Sequence, residues 1–182
     1  MERLKKSQEA TLISFDPSFT GWGWVVMSRQ GEILATGCIK TEPLAKKLKI
    51  RKGDDTNRRI NQLNGELLPV MKRWNVKAIV SEQPSGSQNA NAAKMIGIVL
   101  GMIQTYADIL ELPIEWYSEG DCKVATLGKR AATKGETIEK MQVLYNIPIG
   151  GEPKYKKEAI CDALQVYHTA KLTGTLIKMM KL

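Results

Sequence analysis

Three short apolar runs open the chain, at residues 12–15, 22–27 and 33–39, and Gly21 and the Arg29-Gln30-Gly31 turn separate them. Their length and β-branched or aromatic content predict three successive strands in an antiparallel meander. A polar, basic stretch follows, with Lys46, Lys47, Lys49, Arg51, Lys52, Arg58 and Arg59 around Gly53-Asp54-Asp55; its first part reads as a flexible loop. From 60 to 74 the apolar positions Ile60, Leu63, Leu67, Val70, Met71 and Trp74 fall at helical spacing, with Pro69 inside the pattern as a kink point. Residues 78–80 are apolar enough for a buried parallel strand. Residues 89–110 predict a long helix whose Ala93, Gly97 and Gly101 would let another backbone come close, either the sheet or a second copy. A further strand is expected at 114–117, and Ser118 ahead of Glu119 and Asp121 suits a helix N-cap. The loop 128–134, a helix over 136–145, the Gly- and Pro-rich loop 148–153 and an amphipathic helix over 156–172 complete the pattern.

Three antiparallel strands, then helix, strand, helix, strand and more helices, make an α/β chain with a mixed five-stranded sheet flanked by helices. This order resembles the RNase H-like fold, in which the first strand sits centrally beside the fourth. With 182 residues, no internal repeat and no linker, a single domain over 1–182 is expected. The 27 Lys and Arg outnumber 19 Asp and Glu, for a net charge of +8, which suits a polyanionic partner, nucleic acid first. The basic stretch before residue 60 is then either a solvated linker or a DNA contact. Cys38, Cys122 and Cys161 form no CxxC pair and read as small buried apolar residues in a reducing, cytoplasmic setting. The first ten residues lack an apolar signal core, and the longest apolar stretch, 95–103, is far short of the ~20 residues that span a bilayer. No membrane association is expected.

Asp16 stands where the first apolar run stops at Pro17, Glu82 ends the run 78–81, and Asp162 lies on the last helical pattern. The fold just described would make Asp16 and Glu82 neighbours, and a last helix crossing the sheet would bring Asp162 to them. Three carboxylates so placed suggest a divalent-metal site. Such a site suits phosphodiester hydrolysis, where two ions ~3.5–4 Å apart activate water and clamp the reacting oxygens. Mg²⁺ prefers oxygen ligands and keeps several waters, so carboxylates suffice without a His or Cys cage.

The chain resembles the RuvC family of Holliday-junction resolvases. The likeness lies in SFDPSFTGWGWVV, in Gly37-Cys38-Ile39-Lys40-Thr41, in Ser81-Glu82-Gln83 with Asn89-Ala90 beyond, in the stretch 123–134 and in Asp162-Ala163-Leu164. It implies a dimeric, Mg²⁺-dependent endonuclease, with Mn²⁺ as a substitute, that cuts four-way DNA junctions by paired nicks. Asp16 would be the shared ligand, Glu82 would bind one ion and Asp162 the other. Many relatives carry Asp or His three residues before the final Asp; here that position is Ala159, and Glu158, one turn from Asp162, is expected to take over. The alternative is a solvated Glu158 and a site of three carboxylates. Lys123 and Lys134 match two lysines important in the family, Lys123 to neutralise phosphates and Lys134 to stabilise transition-state charge as well. Lys129, Arg130, Ser85, Gln88 and Asn89 are further expected DNA contacts. Relatives often place an aromatic where Ser85 stands, so preference for four-way junctions is expected to be weaker here. A bacteriophage origin, with flap and three-way DNA also cut, is the matching hypothesis.

Trp22 and Trp24 share a strand face and read as core or helix-packing residues. His168 is expected at the surface or an interface, and the C-terminal LIKMMKL as a dimer contact, a DNA contact or a frayed tail. Rival functions are a non-catalytic junction-DNA-binding module, a nuclease of RNA or RNA–DNA hybrids, and a sugar-kinase-like or actin-like ATPase, which would need a second subdomain.

Overall fold

Residues 11–147 and 149–180 are described by the computed structural model. The charged N-terminal decapeptide, Pro148 at the head of the 148–153 loop and the last two residues of LIKMMKL lie outside the described residues. The strands are β1 (Thr11–Asp16), β2 (Gly21–Met27), β3 (Ile33–Lys40), β4 (Val76–Glu82) and β5 (Ile114–Tyr117). They form a five-stranded sheet in the order β3-β2-β1-β4-β5. The β1–β2 and β2–β3 pairs are antiparallel, and β1–β4 and β4–β5 parallel. The first strand is therefore central and lies beside the fourth, as the element order predicts.

Side chains alternate across a strand, so each one supplies both sheet faces. On one face Leu12, Val25, Met27, Ala78 and Val80 pack under α6 (Lys154–Thr173), together with α4 (Glu119–Leu127), α5 (Lys134–Tyr145) and α7 (Leu176–Met179). On the other, Ile13, Phe15, Trp22, Val26 and Ile79 pack under α2 (Lys52–Arg73) and α3 (Ala90–Ile109). Trp22 is fully buried edge-on to Phe15, and Trp24 lies against the backbone of Gly37, so both tryptophans pack as expected.

The basic stretch departs from expectation. A short helix, α1 (Ala45–Leu48), interrupts it, and α2 already begins at Lys52, because Asp54 and Asp55 in its first turn favour the positive end of the helix. Asp55 also accepts the Leu44 N–H at 3.0 Å and pairs with Arg58 at 2.8 Å. Arg59 is buried, stacked 4.2 Å from the Phe19 ring centroid and donating to Thr41 Oγ1 at 2.8 Å. It is a structural residue rather than part of a solvated linker. The helix continues through Pro69 to Arg73. On α3, Gly97 and Gly101 do not face the sheet; a Cβ at either would meet nothing within 4 Å. Packing against the chain's own sheet therefore does not explain this stripe.

Helix α6 lies so close that nearly its whole middle is buried. A Cβ on Gly23 would sit 2.0 Å from the Ala159 carbonyl oxygen, and the Ser14 hydroxyl donates to the Ala163 carbonyl at 2.5 Å. Leu176 and Ile177 of the C-terminal segment are buried in the same cluster, and Glu115 accepts the Leu176 N–H at 2.8 Å. That half of the segment is held by its own fold, not frayed.

Candidate active site

Register brings the carboxylates to one edge of the sheet. Leu12 and Ser14 of β1 face α6, so Asp16 on the same alternation faces it too; Val80 does the same for Glu82. Phe15 is paired with Ser81, which places Asp16 and Glu82 one step further along adjacent parallel strands. Asp162 comes from the buried centre of α6, one residue before Ala163, whose carbonyl is tied to β1. Gly23, the antiparallel partner of Asp16, lets α6 descend to this depth.

Crowding of charge appears in the proton affinities. Burial, then the Asp162 and Glu82 charges, push the Asp16 carboxyl well above the usual carboxylate range. Burial, then Asp162 and Glu119, raise Glu82 to about 7. Burial raises Asp162 also, although the Lys134 ammonium paired with it pulls the other way. Lys134 opens α5, where Thr133 caps the helix and forms a capping box with Glu136. Burial works against the Lys134 ammonium, yet Asp162, Asp16 and Glu82 together hold its pKa above the ordinary value.

The donor set is oxygen, which suits a hard divalent cation rather than zinc. His168 is engaged elsewhere: it is half-buried on α6 beside Tyr145, its Nδ1 2.8 Å from the Tyr145 hydroxyl. Cys38 is only partly buried, contrary to expectation, and burial and the nearby Asp16 raise its thiol to about 11, so it offers no thiolate. Among the described residues no three acidic, His or Cys side chains yet stand close enough together to grip one ion. The arrangement is a concentrated negative edge with one ammonium on it.

The other expected residues surround this edge. Glu158 is half-buried one turn from Asp162, its charge felt there, with Lys154 at 3.8 Å. Lys123 pairs with Glu119 at 2.7 Å, Lys129 with Glu136, and Arg130 lies 4.0 Å from Asp121. Ser85 and Gln88 are exposed on the loop after β4, while Asn89 caps α3 by accepting from the N–H groups of Asn91 and Ala92 at 3.0 and 3.1 Å. A cleft of about 280 Å³ lies between the β1–β2 loop and the start of α3, lined by Pro17, Phe19, Arg59, Pro84 and Met95 among others.

Glu119 is the site residue that sequence reasoning missed. It read there as a first-turn acid behind an N-cap, but the strand before it ends with Tyr117 paired to Glu82, so α4 starts at the carboxylate edge. Its charge raises Asp16, Glu82 and Asp162 alike. The signal available was its position, directly after the strand expected at 114–117.

No family model matches the chain. Curated proteins do: it is 25% identical over 163 residues, 88% of each chain, to the crossover junction endodeoxyribonuclease RuvC of Shewanella sp. (strain ANA-3). It is 24% identical over a similar span to that of Shewanella amazonensis. Among solved structures, T. thermophilus RuvC in complex with Holliday junction substrate matches with a TM-score of 0.71 at 20% identity, over 90% of this chain and 96% of that one. Thermus thermophilus RuvC alone matches with a TM-score of 0.67 at 21% identity. The chain has the RuvC fold and is RuvC-like in sequence along nearly its whole length.

Proposed function

We propose, with this kinship to the RuvC resolvases as premise, that the chain is a divalent-metal-dependent DNA endonuclease that resolves four-way junctions by paired nicks. The observation that carries the reading is the shared edge of Asp16, Glu82 and Asp162, three carboxylates from distant parts of the chain with the Lys134 ammonium seated among them. Burying like charges together is costly unless cations join them.

Asp16, Glu82 and Asp162 would hold the ions, Mg²⁺ or Mn²⁺, with Glu158 beside Asp162 as the fourth carboxylate. Bound there, the ions would supply activation of water and relief of charge on the scissile phosphate. Lys134, fixed at the first turn of α5, is placed to stabilise charge that develops on the phosphate as the bond breaks. Lys123, Lys129 and Arg130 line the approach and neutralise neighbouring phosphates. Two nicks on opposite strands require two such edges, so the working unit is a homodimer, and the outward Gly97 and Gly101 face of α3 suits the contact.

A broader substrate range has its own support. Ser85, exposed on the loop after β4, offers no ring to wedge between bases at the exchange point. Flaps and three-way junctions are therefore cut as well on this reading.

The test is to incubate wild type and Asp16→Asn with labelled four-way, three-way, flap and linear DNA, with Mg²⁺ or EDTA, and to score binding and nicking separately. The expected result is symmetrical junction nicks that need Mg²⁺ and vanish in Asp16→Asn while binding persists. Binding with no cutting by the wild type would make the chain a non-catalytic junction-binding module.

A further inference from the structure

Every basic side chain among residues 118–136 already has an acidic mate: Lys123 has Glu119, Lys129 has Glu136, Arg130 has Asp121 and Lys134 has Asp162. Three of those acids have other work. Asp162 belongs to the carboxylate edge, Glu136 closes the capping box, and Asp121 accepts the Ser118 hydroxyl at 2.7 Å. Glu119 differs, since among the described residues its direct side-chain contact is Lys123, at 2.7 Å.

Position gives that pair a meaning. Tyr117 is the register partner of Glu82, and its carbonyl accepts the Gln83 N–H at 2.8 Å, so the start of α4 is fastened to the end of β4. Glu119 therefore stands beside the reaction edge. The pair is layered as well: the Lys123 side chain is 20% exposed and the Glu119 side chain 51%. The acid is the more exposed partner, so a phosphate that reaches Lys123 competes with a carboxylate already open to solvent.

We propose that Glu119 is a resident phosphate surrogate, which holds Lys123 at the edge and must be displaced by the DNA backbone. The inference rests on the nuclease reading and adds a selectivity device to it. Displacing the acid breaks its pair with Lys123, a cost that weakly held duplex does not offset, so such duplex is disfavoured. DNA that presents several phosphates to this edge at once expels the acid. Glu119 is thus a positioning residue for Lys123 and a specificity-determining one for DNA.

The test measures equilibrium binding of four-way junction and matched linear duplex in EDTA over a range of salt, for wild type, Glu119→Gln, Lys123→Gln and the double variant. Glu119→Gln is expected to bind linear duplex roughly two- to fivefold more tightly, the range an exposed ion pair commands, and the junction by less, so that the preference for the junction narrows. Its dependence of log K on log salt should steepen by about 0.9, one additional effective phosphate contact. The double variant should match Lys123→Gln alone. Unchanged affinity and slope in Glu119→Gln would overturn the proposal, and so would tightening that persists without Lys123, which would be a general charge effect. A parallel series in Ca²⁺ covers the rival role: loss of junction affinity in Glu119→Gln only when Ca²⁺ is present would make the acid an ion ligand and overturn the surrogate. Wild type that binds neither DNA would remove the nuclease reading itself, whereas wild type that binds and cuts beside an indifferent Glu119→Gln removes only this inference.

Discussion

Glu82 shows how a single residue records the conflict between function and stability. Its carboxyl has an ordinary value of 4.5 and is raised to about 7 in the fold, first by burial and then by the Asp162 and Glu119 charges. A group that binds its proton more tightly when folded stabilises fully below its unfolded pKa, and that contribution is lost as pH rises through the folded one. Without divalent ions the wild type should therefore lose stability between about pH 4.5 and 7 at this position. Glu82→Gln keeps the shape and cannot ionise, so at pH 8 in EDTA it should be more stable than wild type by ~1–3 kcal/mol. At pH 4 the two should coincide. Urea unfolding at the two pH values checks this, and equal stabilities at pH 8 would mean that Glu82 is not crowded by its neighbours. Divalent ions should shrink the pH 8 difference, since they stabilise the ionised wild type.

At the scale of elements, α5 is an aiming device for Lys134. Thr133 accepts the Glu136 N–H and Glu136 accepts the Thr133 N–H, so the cap one residue before the lysine fixes where the helix starts. Thr133→Ala should cost ~1 kcal/mol of stability. It should also lower the cleavage rate more than junction binding if Lys134 acts on the reacting phosphate, as proposed, rather than as the main DNA anchor. Single-turnover cleavage and binding measured on one preparation would separate the two effects; equal losses would assign the cap a purely structural role. Element types and order were legible from the sequence because strand and helix periodicities differ, and Asp16, Glu82 and Asp162 were legible because each ends or interrupts an apolar pattern. The start of α2 was not, since Gly53-Asp54-Asp55 looks like a turn until Asp55 is seen holding Leu44 and Arg58. Glu119 escaped for a related reason: its role depends on which strand lies beside β4, and a local pattern of N-cap and first-turn acids says nothing about that.

For the whole molecule, the outward face of α3 links fold to assembly. Glycine in an exposed helix costs roughly 1 kcal/mol relative to alanine, and Gly97 and Gly101 stand one turn apart with open space where a side chain would be. Among the described residues of one chain no contact offsets that cost. A second copy could, since small residues let helix backbones approach closely, and the paired nicks proposed above would call for two active edges in fixed relation. Gly97→Trp tests this without threatening the fold, because a Cβ there meets no neighbour within 4 Å. The variant should keep the melting temperature of an isolated wild-type subunit and sediment as a monomer where wild type is a dimer. It should nick one strand of a junction at a time and lose the coordinated second cut. A variant that stays dimeric would place the contact away from α3. One that turns monomeric yet still makes paired cuts would show that the two active edges are brought together by the DNA rather than by the protein.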